Sequence, residues 1–325
     1  MNASQSPTSD KTSPSKISII GAGMVGSTIA YSLTVEQLAG ELVLVDLDMD
    51  RARGEARDIN HALPFLAPTR VSAGDYEACR GSDIIVITAG AAQVSGETRL
   101  DLTKKNYRIY QDIIPRVEEV AGDALIVVVS NPVDVLTYAT VQLSDLPPEH
   151  VIGSGTVLDT ARFRYELSAH CGLDPRNVHA YILGEHGDSE VPIWSLANVA
   201  GVTFEEFCKS CPGDCNRERE HAEIFESVKN AAYEIIDLKG ATYYAIGMGT
   251  TRICEAILRD QNTILTASSL LQGQYGIGDV CMSLPVVLGR NGVRMTVELP
   301  VSDEEREALQ NSASVLRHAL EQVGL

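Results

Sequence analysis

The chain has 325 residues, 44% of them apolar and only 5% aromatic, so it has room for two domains whose cores rest on Ile, Val, Leu and Ala. With 26 basic against 44 acidic residues its formal charge is -18, a field that repels nucleic acid and anionic lipid and leaves any anionic ligand to locally placed arginines. Residues 124–129 form the longest apolar run of note, far short of the roughly 20 residues of a membrane span, and seven cysteines, an odd number, argue for a reducing, cytoplasmic setting rather than a disulfide framework.

Residues 1–15 are polar and rich in Ser, Thr and Pro, and read as a disordered tail, not a secretory leader. From Lys16 onward, short β-branched runs alternate with longer amphipathic stretches. Strands are expected over 17–20, 42–45, 84–87 and 125–129, nearly continuous in apolar residues as parallel strands covered on both faces are. Helices are expected over 24–38, 51–60, 103–121 and 132–142. Such alternation implies an α/β fold with a doubly wound parallel sheet. It fades after Gly153, where a helix over 159–170, a strand over 179–183, helices over 221–237 and 241–259, strands over 280–288 and 293–299, and a closing helix over 303–322 read as an α+β domain. The expected division is 16–152 for nucleotide binding and 153–325 for catalysis, with no internal repeat.

The first strand runs into Gly21-Ala22-Gly23-Met24-Val25-Gly26, which opens a helix. A GxGxxG string alone is a weak signal, but a strand before it and a helix after it make it a Rossmann-type dinucleotide site. Gly21 permits the tight turn, Gly23 lets backbone approach a pyrophosphate, Gly26 lets helix and strand pack, and the helix N-terminus attracts phosphate. Asp46 ends the second strand twenty residues after Gly26. There a carboxylate accepts the ribose hydroxyls and repels a 2′-phosphate, so NAD is favoured over NADP; the alternative reading of Asp46 is a helix N-cap.

The second half carries GSGTVLDTARFR and, shortly after, VHAYILGEHGDSEVPIWS. Hydride chemistry on a 2-oxo acid needs a proton exchanger for the carbonyl oxygen and cations for carboxylate and carbonyl. His186 supplies the first near neutral pH, and Asp159 can hold its ring in one tautomer and stabilise the imidazolium. Arg162, three positions after Asp159, shares its helix face and offers a planar fork for a carboxylate. The isolated histidines His61, His150, His170 and His318 read as surface or structural.

With these motifs the sequence resembles the lactate/malate dehydrogenase family from about Lys16 to the C-terminus, and most closely its bacterial lactate branch; GAGMVG, AGAAQVSGETRLDL, SNPVDV, GSGTVLDTARFR, GEHGDSEVP and KGATYYAIG stand in the family's order. The resemblance implies that His186 exchanges the proton, Asp159 is its partner and Arg162 anchors the substrate carboxylate. It implies that Arg99, on a mobile loop, polarises the reacting carbonyl, and that Asn131 contacts substrate near the nicotinamide. Thr242 lines the pocket and Ile246 packs on the nicotinamide by the same likeness. Plainer readings stand beside these: Arg99 as a surface arginine, Asn131-Pro132 as a turn.

Gln93 bears on the substrate. In the family this loop residue faces the substituent beyond the reacting carbon, and malate enzymes resemble one another in placing arginine there. A neutral Gln leaves a second substrate carboxylate desolvated without a partner, at a cost of several kcal/mol. Pyruvate and L-lactate are therefore favoured over oxaloacetate and malate. A malate or other 2-hydroxy acid enzyme is the alternative, as is a non-catalytic NAD-binding protein reusing the fold.

Arg164 projects about 200° around the helix from Arg162, and His179 lies seven residues before His186. In the family, an Arg and a His at these positions bind fructose 1,6-bisphosphate at a subunit interface, so the resemblance implies an effector site; a surface ion pair and a structural histidine are the plainer reading. It also implies a homo-oligomer, a tetramer or else a dimer. Cys208, Cys211, Cys215 and His221 have the donor types of a zinc site, but they fall in an expected loop and no metal is needed by the chemistry, so they read as structural or free thiols.

Overall fold

In the computed structural model, which describes residues 15–91, 98–209 and 217–325, the chain opens with β1 (Lys16–Ile20), α1 (Met24–Val35), β2 (Glu41–Val45), α2 (Met49–Ala62) and β3 (Arg70–Ala73). It continues through β4 (Ile84–Ile87), α3 (Arg99–Ala121), β5 (Leu125–Val128), α4 (Val133–Leu143) and β6 (Val151–Gly153). The six strands are parallel in the order β3-β2-β1-β4-β5-β6. Their order reverses between β1 and β4, which opens a crevice at the strand ends where a ligand fits.

Every residue of β4 and β5 is buried, as is all of β1 and β2 after the first residue. The alternation of strand side chains explains why both faces need cover. Ile17, Ile19, Leu42 and Leu44 pack with Ile29 and Leu33 of α1 and Ile59 of α2. On the opposite face Ile85, Ile87, Ile126 and Val128 pack with Tyr110, Ile113 and Ile114 of α3 and Leu136 of α4. Thr98 and Asp101 form a reciprocal capping box that starts α3 at Arg99, a full turn before the expected 103.

The second half comprises α5 (Val157–Cys171), the two-residue strands β7 (Val178–His179), β8 (Ile182–Leu183), β9 (Val191–Pro192), β10 (Asn198–Val199) and β11 (Val202–Thr203), then α6 (Phe204–Cys208), α7 (Arg217–Lys239) and α8 (Tyr244–Leu258). An antiparallel meander of β12 (Thr263–Gln272), β13 (Gly278–Gly289) and β14 (Gly292–Thr296) precedes α9 (Asp303–Val323). The meander joins the parallel sheet through Ser268 opposite Gly153, making nine strands in all.

Two expectations change. The strand expected over 179–183 is two short strands in different sheets, β7 pairing with β10 and β8 with β9. Between them the Ala180 carbonyl is taken by the Arg164 guanidinium, 3.0 Å away, and not by a strand ladder. Strand β12 was not expected, because Thr266, Ser268 and Ser269 give it a polar pattern although all three are buried. Among the described residues no helix is long and apolar enough to cross a membrane.

Candidate active site

The nucleotide end is built by the β1–α1 turn. Gly21 has φ +106°, and a Cβ there would sit 2.7 Å from the Ala89 nitrogen; a Cβ on Gly26 would sit 1.9 Å from the Gly21 carbonyl oxygen. Only glycine fits either place. Gly23 faces open space, and α1 starts after it with no side-chain cap, so the first helical N–H groups and the dipole end are turned to that space. Met24, next in the turn, is exposed, and Val25 packs onto the core. Asp46 stands at the end of β2, its Oδ2 accepting the Ala22 N–H at 2.6 Å and its Oδ1 the Asp48 N–H at 2.9 Å. Asp48, not Asp46, caps α2. The carboxylate is thus locked to the glycine turn, beside the cradle a dinucleotide pyrophosphate fits, and these residues suit NAD.

Asp159 and Arg162 lie on α5, and His186 on the loop between β8 and β9. Asp159 is 2% exposed. Its Oδ2 meets His186 Nδ1 at 2.5 Å, while its Oδ1 accepts from Arg162 Nη1 at 2.9 Å. With Nδ1 engaged, Nε2 is the ring nitrogen left to face a substrate. Burial alone would lower the imidazole pKa, but the Asp159 charge and hydrogen bond outweigh it and raise it to about 9. Burial likewise works to raise Asp159, and His186 with Arg162 overcome it and hold its carboxyl below the usual range. The result is an imidazolium at neutral pH, a quarter exposed, pinned by a buried carboxylate. Glu190, four residues on, is 8% exposed; burial first, and then the Asp159 charge, push it up to about 8, so it stays protonated at neutral pH and adds no second anion.

Arg99 is the first residue of α3, not part of a loop, because Thr98 caps the helix immediately before it; its guanidinium pairs with Asp188 at 2.5 Å, two residues from His186. Asn131 lies three residues after β5 and joins Pro132 by a cis bond, and its carbonyl accepts from Asn106 Nδ2 at 2.7 Å. Asn106 is 1% exposed and its Oδ1 also accepts the Ala91 N–H at 2.8 Å, so one helical side chain ties together the segments after β4 and β5. Thr242 lies just ahead of α8, and Ile246 in its first turn packs on the core of the nucleotide half. Gln93 lies outside the described residues.

Arg164 points away from Arg162, its Nε donating to Ala180 next to the exposed His179, so those two positions do come together. Cys211 and Cys215 lie outside the described residues; of the remaining pair, Cys208 ends α6 and His221 stacks on Trp194 at 3.7 Å. Sequence reasoning missed Asp134, whose carboxylate accepts the His186 backbone N–H, and Asn106. Asp134 stands within the SNPVDV motif, but one sequence does not say that it meets His186, and Asn106, a polar residue within a helix, carries no signal.

Residues 15–153 match the lactate/malate dehydrogenase NAD-binding domain, and residues 156–324 the alpha/beta C-terminal domain of the same proteins. The chain belongs to the lactate/malate dehydrogenase family and is an NAD-dependent oxidoreductase. Its relatives include the L-lactate dehydrogenase of Acetivibrio thermocellus, 52% identical over 305 residues that cover 94% of this chain and 96% of the relative. L-lactate dehydrogenase 1 of Clostridium acetobutylicum is 53% identical over 308 residues, covering 95% of this chain and 98% of the relative. The crystal structure of the minor L-lactate dehydrogenase from Enterococcus mundtii, in its ligands-bound form, aligns with a TM-score of 0.92 at 43% identity, covering 96% of this chain and 99% of that one.

Proposed function

We propose that this protein is an L-lactate dehydrogenase that interconverts pyruvate and L-lactate in fermentative glycolysis, with residues 16–152 holding the nucleotide and 153–325 the groups that act on the acid. The observation that carries the reading is the chain Arg162–Asp159–His186, a guanidinium and an imidazolium joined through one buried carboxylate at 2.9 and 2.5 Å. Arg162 anchors the substrate carboxylate with donors not spent on Asp159. His186, protonated below about pH 9, gives its Nε2 proton to the carbonyl oxygen as reduction proceeds. NADH, when bound, would supply the hydride for the carbonyl carbon. Arg99, whose guanidinium pairs with Asp188 two residues from His186, stabilises charge growing on that oxygen. Asn131 and Thr242 complete the substrate pocket, and Gly21, Gly23, Met24, Val25, Gly26, Asp46 and Ile246 the cofactor site.

A methyl substituent suits the neutral Gln93, where a second carboxylate lacks a cation, so pyruvate is the substrate ahead of oxaloacetate. Arg164 and His179 form the site for fructose 1,6-bisphosphate in a tetrameric, cytoplasmic enzyme. The test is NADH oxidation with pyruvate, oxaloacetate and 2-oxobutyrate in turn. The highest kcat/KM with pyruvate supports the proposal, and a preference for oxaloacetate overturns it.

A further inference from the structure

Three consecutive backbone N–H groups on the catalytic loop are each gripped by a different element. Gly184 N–H donates to the Ser283 carbonyl of β13 at 2.9 Å, Glu185 N–H to Ser312 Oγ of α9 at 2.8 Å, and His186 N–H to Asp134 Oδ2 of α4 at 2.7 Å. The last acceptor stands apart. Asp134 is 2% exposed, carries a carboxylate where the others are neutral, and belongs to the nucleotide half of the fold, three residues after Asn131. Its other oxygen, Oδ1, is buried, and the Ser268 hydroxyl of β12 lies against the carboxyl. Burying an ionisable carboxyl costs desolvation energy that a neutral acceptor for a single N–H does not.

We infer that Asp134 is a positioning residue for proton transfer, fixing the main chain of His186 while Asp159 fixes its ring, and so coupling the nucleotide half of the fold to the proton exchanger. The inference rests on His186 exchanging the proton. The two carboxylates reach one histidine from helices α4 and α5, and a ring held from Nδ1 alone could still swing about its backbone. Asp134 also acts on the charge of His186, which is faced by Asp159 of α5, Asp134 of α4 and Glu190 of its own loop; the two aspartates favour the imidazolium, and Glu190 joins them only where it ionises, above about pH 8. Asp134 in turn faces Ser268 of β12, the Cys281 thiol of β13, and Glu185 and His186 of the loop; burial, the largest effect, raises its carboxyl to about 6, so it is ionised where the enzyme works.

Two substitutions test this on the full-length enzyme, by kcat/KM for pyruvate from pH 6 to 10 and by NADH affinity. Asp134→Asn keeps an oxygen for the His186 N–H but removes the charge. It is expected to move the alkaline limb of the pH profile down by about half a unit or more, with NADH affinity within about twofold of wild type. Asp134→Ala removes the acceptor as well and is expected to lower kcat/KM about 100-fold, the scale of a misplacement near 1 Å, with NADH still bound. An Asp134→Asn profile superimposable on wild type, or an Asp134→Ala enzyme within about threefold of wild-type kcat/KM, overturns the inference. Should Asp134→Ala lose NADH binding through misfolding, the Asp134→Asn profile decides alone. Failure of the underlying reading looks different: the wild-type enzyme itself would then not reduce pyruvate.

Discussion

Replacing Asp159 by Asn separates the two things this carboxylate does for His186, holding the ring and holding the proton. The imidazole stands at about 9 against its ordinary 6.5 although burial works in the opposite direction; the Asp159 charge and hydrogen bond are the largest effects that raise it, and Asp134 adds to them. Without the charge the imidazole is expected to fall back toward its ordinary 6.5. For reduction the protonated form must be present: at pH 7 it is ~99% of wild type and about one quarter of the variant, while at pH 9 it is about half of wild type and ~0.3% of the variant. Misorientation of the ring lowers activity by a factor that does not depend on pH. Loss of the proton makes the wild-type to variant ratio of kcat/KM grow roughly fortyfold between pH 7 and 9. Initial rates of NADH loss at subsaturating pyruvate across this range give the ratio directly. A ratio that stays constant refutes the electrostatic argument and leaves Asp159 an orienting group only. Linkage predicts a companion effect of the same sign. Because the folded-state pKa is raised, the stabilisation is fully present below pH 6.5 and disappears as pH rises through about 9, so wild-type Tm is expected to fall across that window.

Four further outcomes follow from the geometry. His186→Asn is expected to lower pyruvate turnover by about 10³-fold or more while NADH binds as before, and retained turnover in a direct assay removes the histidine from its role. Gly26→Ala places a Cβ against the Gly21 carbonyl oxygen, 1.9 Å away, and is expected to lower stability by about 1–3 kcal/mol and weaken NADH binding; an unchanged Tm and Kd would show that the turn relaxes freely. Gln93→Arg offers a cation to a second carboxylate, and the oxaloacetate-to-pyruvate ratio of kcat/KM is expected to rise by about tenfold or more, with an unchanged ratio counting against Gln93 as the discriminator. Fructose 1,6-bisphosphate is expected to lower half-saturating pyruvate about fivefold or more, and Arg164→Gln to abolish the response; saturation curves that ignore the bisphosphate retire the effector site.

The glycine turn and the Asp159–Arg162 pair were legible in the sequence, because their types and spacings answer to chemistry that acts locally. Gly21, Gly23 and Gly26 declare a tight turn against a helix start, and Asp159 with Arg162 share a face because a helix repeats every 3.6 residues. The β-branched runs of β1, β2, β4 and β5 announced a parallel sheet, since only strands covered on both faces are apolar at every position. What spacing along the chain cannot convey is which distant groups meet. Nothing in the sequence says that a loop histidine at 186 takes its ring partner from α5 and its backbone partner from α4, or that Arg99 leaves the expected loop to begin a helix and pair with Asp188. Strand β12 escaped notice for a related reason: its serines and threonines are buried by the strands and helices packed on them, and burial belongs to the assembled fold, not to the residues. Residue chemistry determined what the site is able to do; tertiary packing decided which charges stand close enough, and dry enough, to hold a proton on His186.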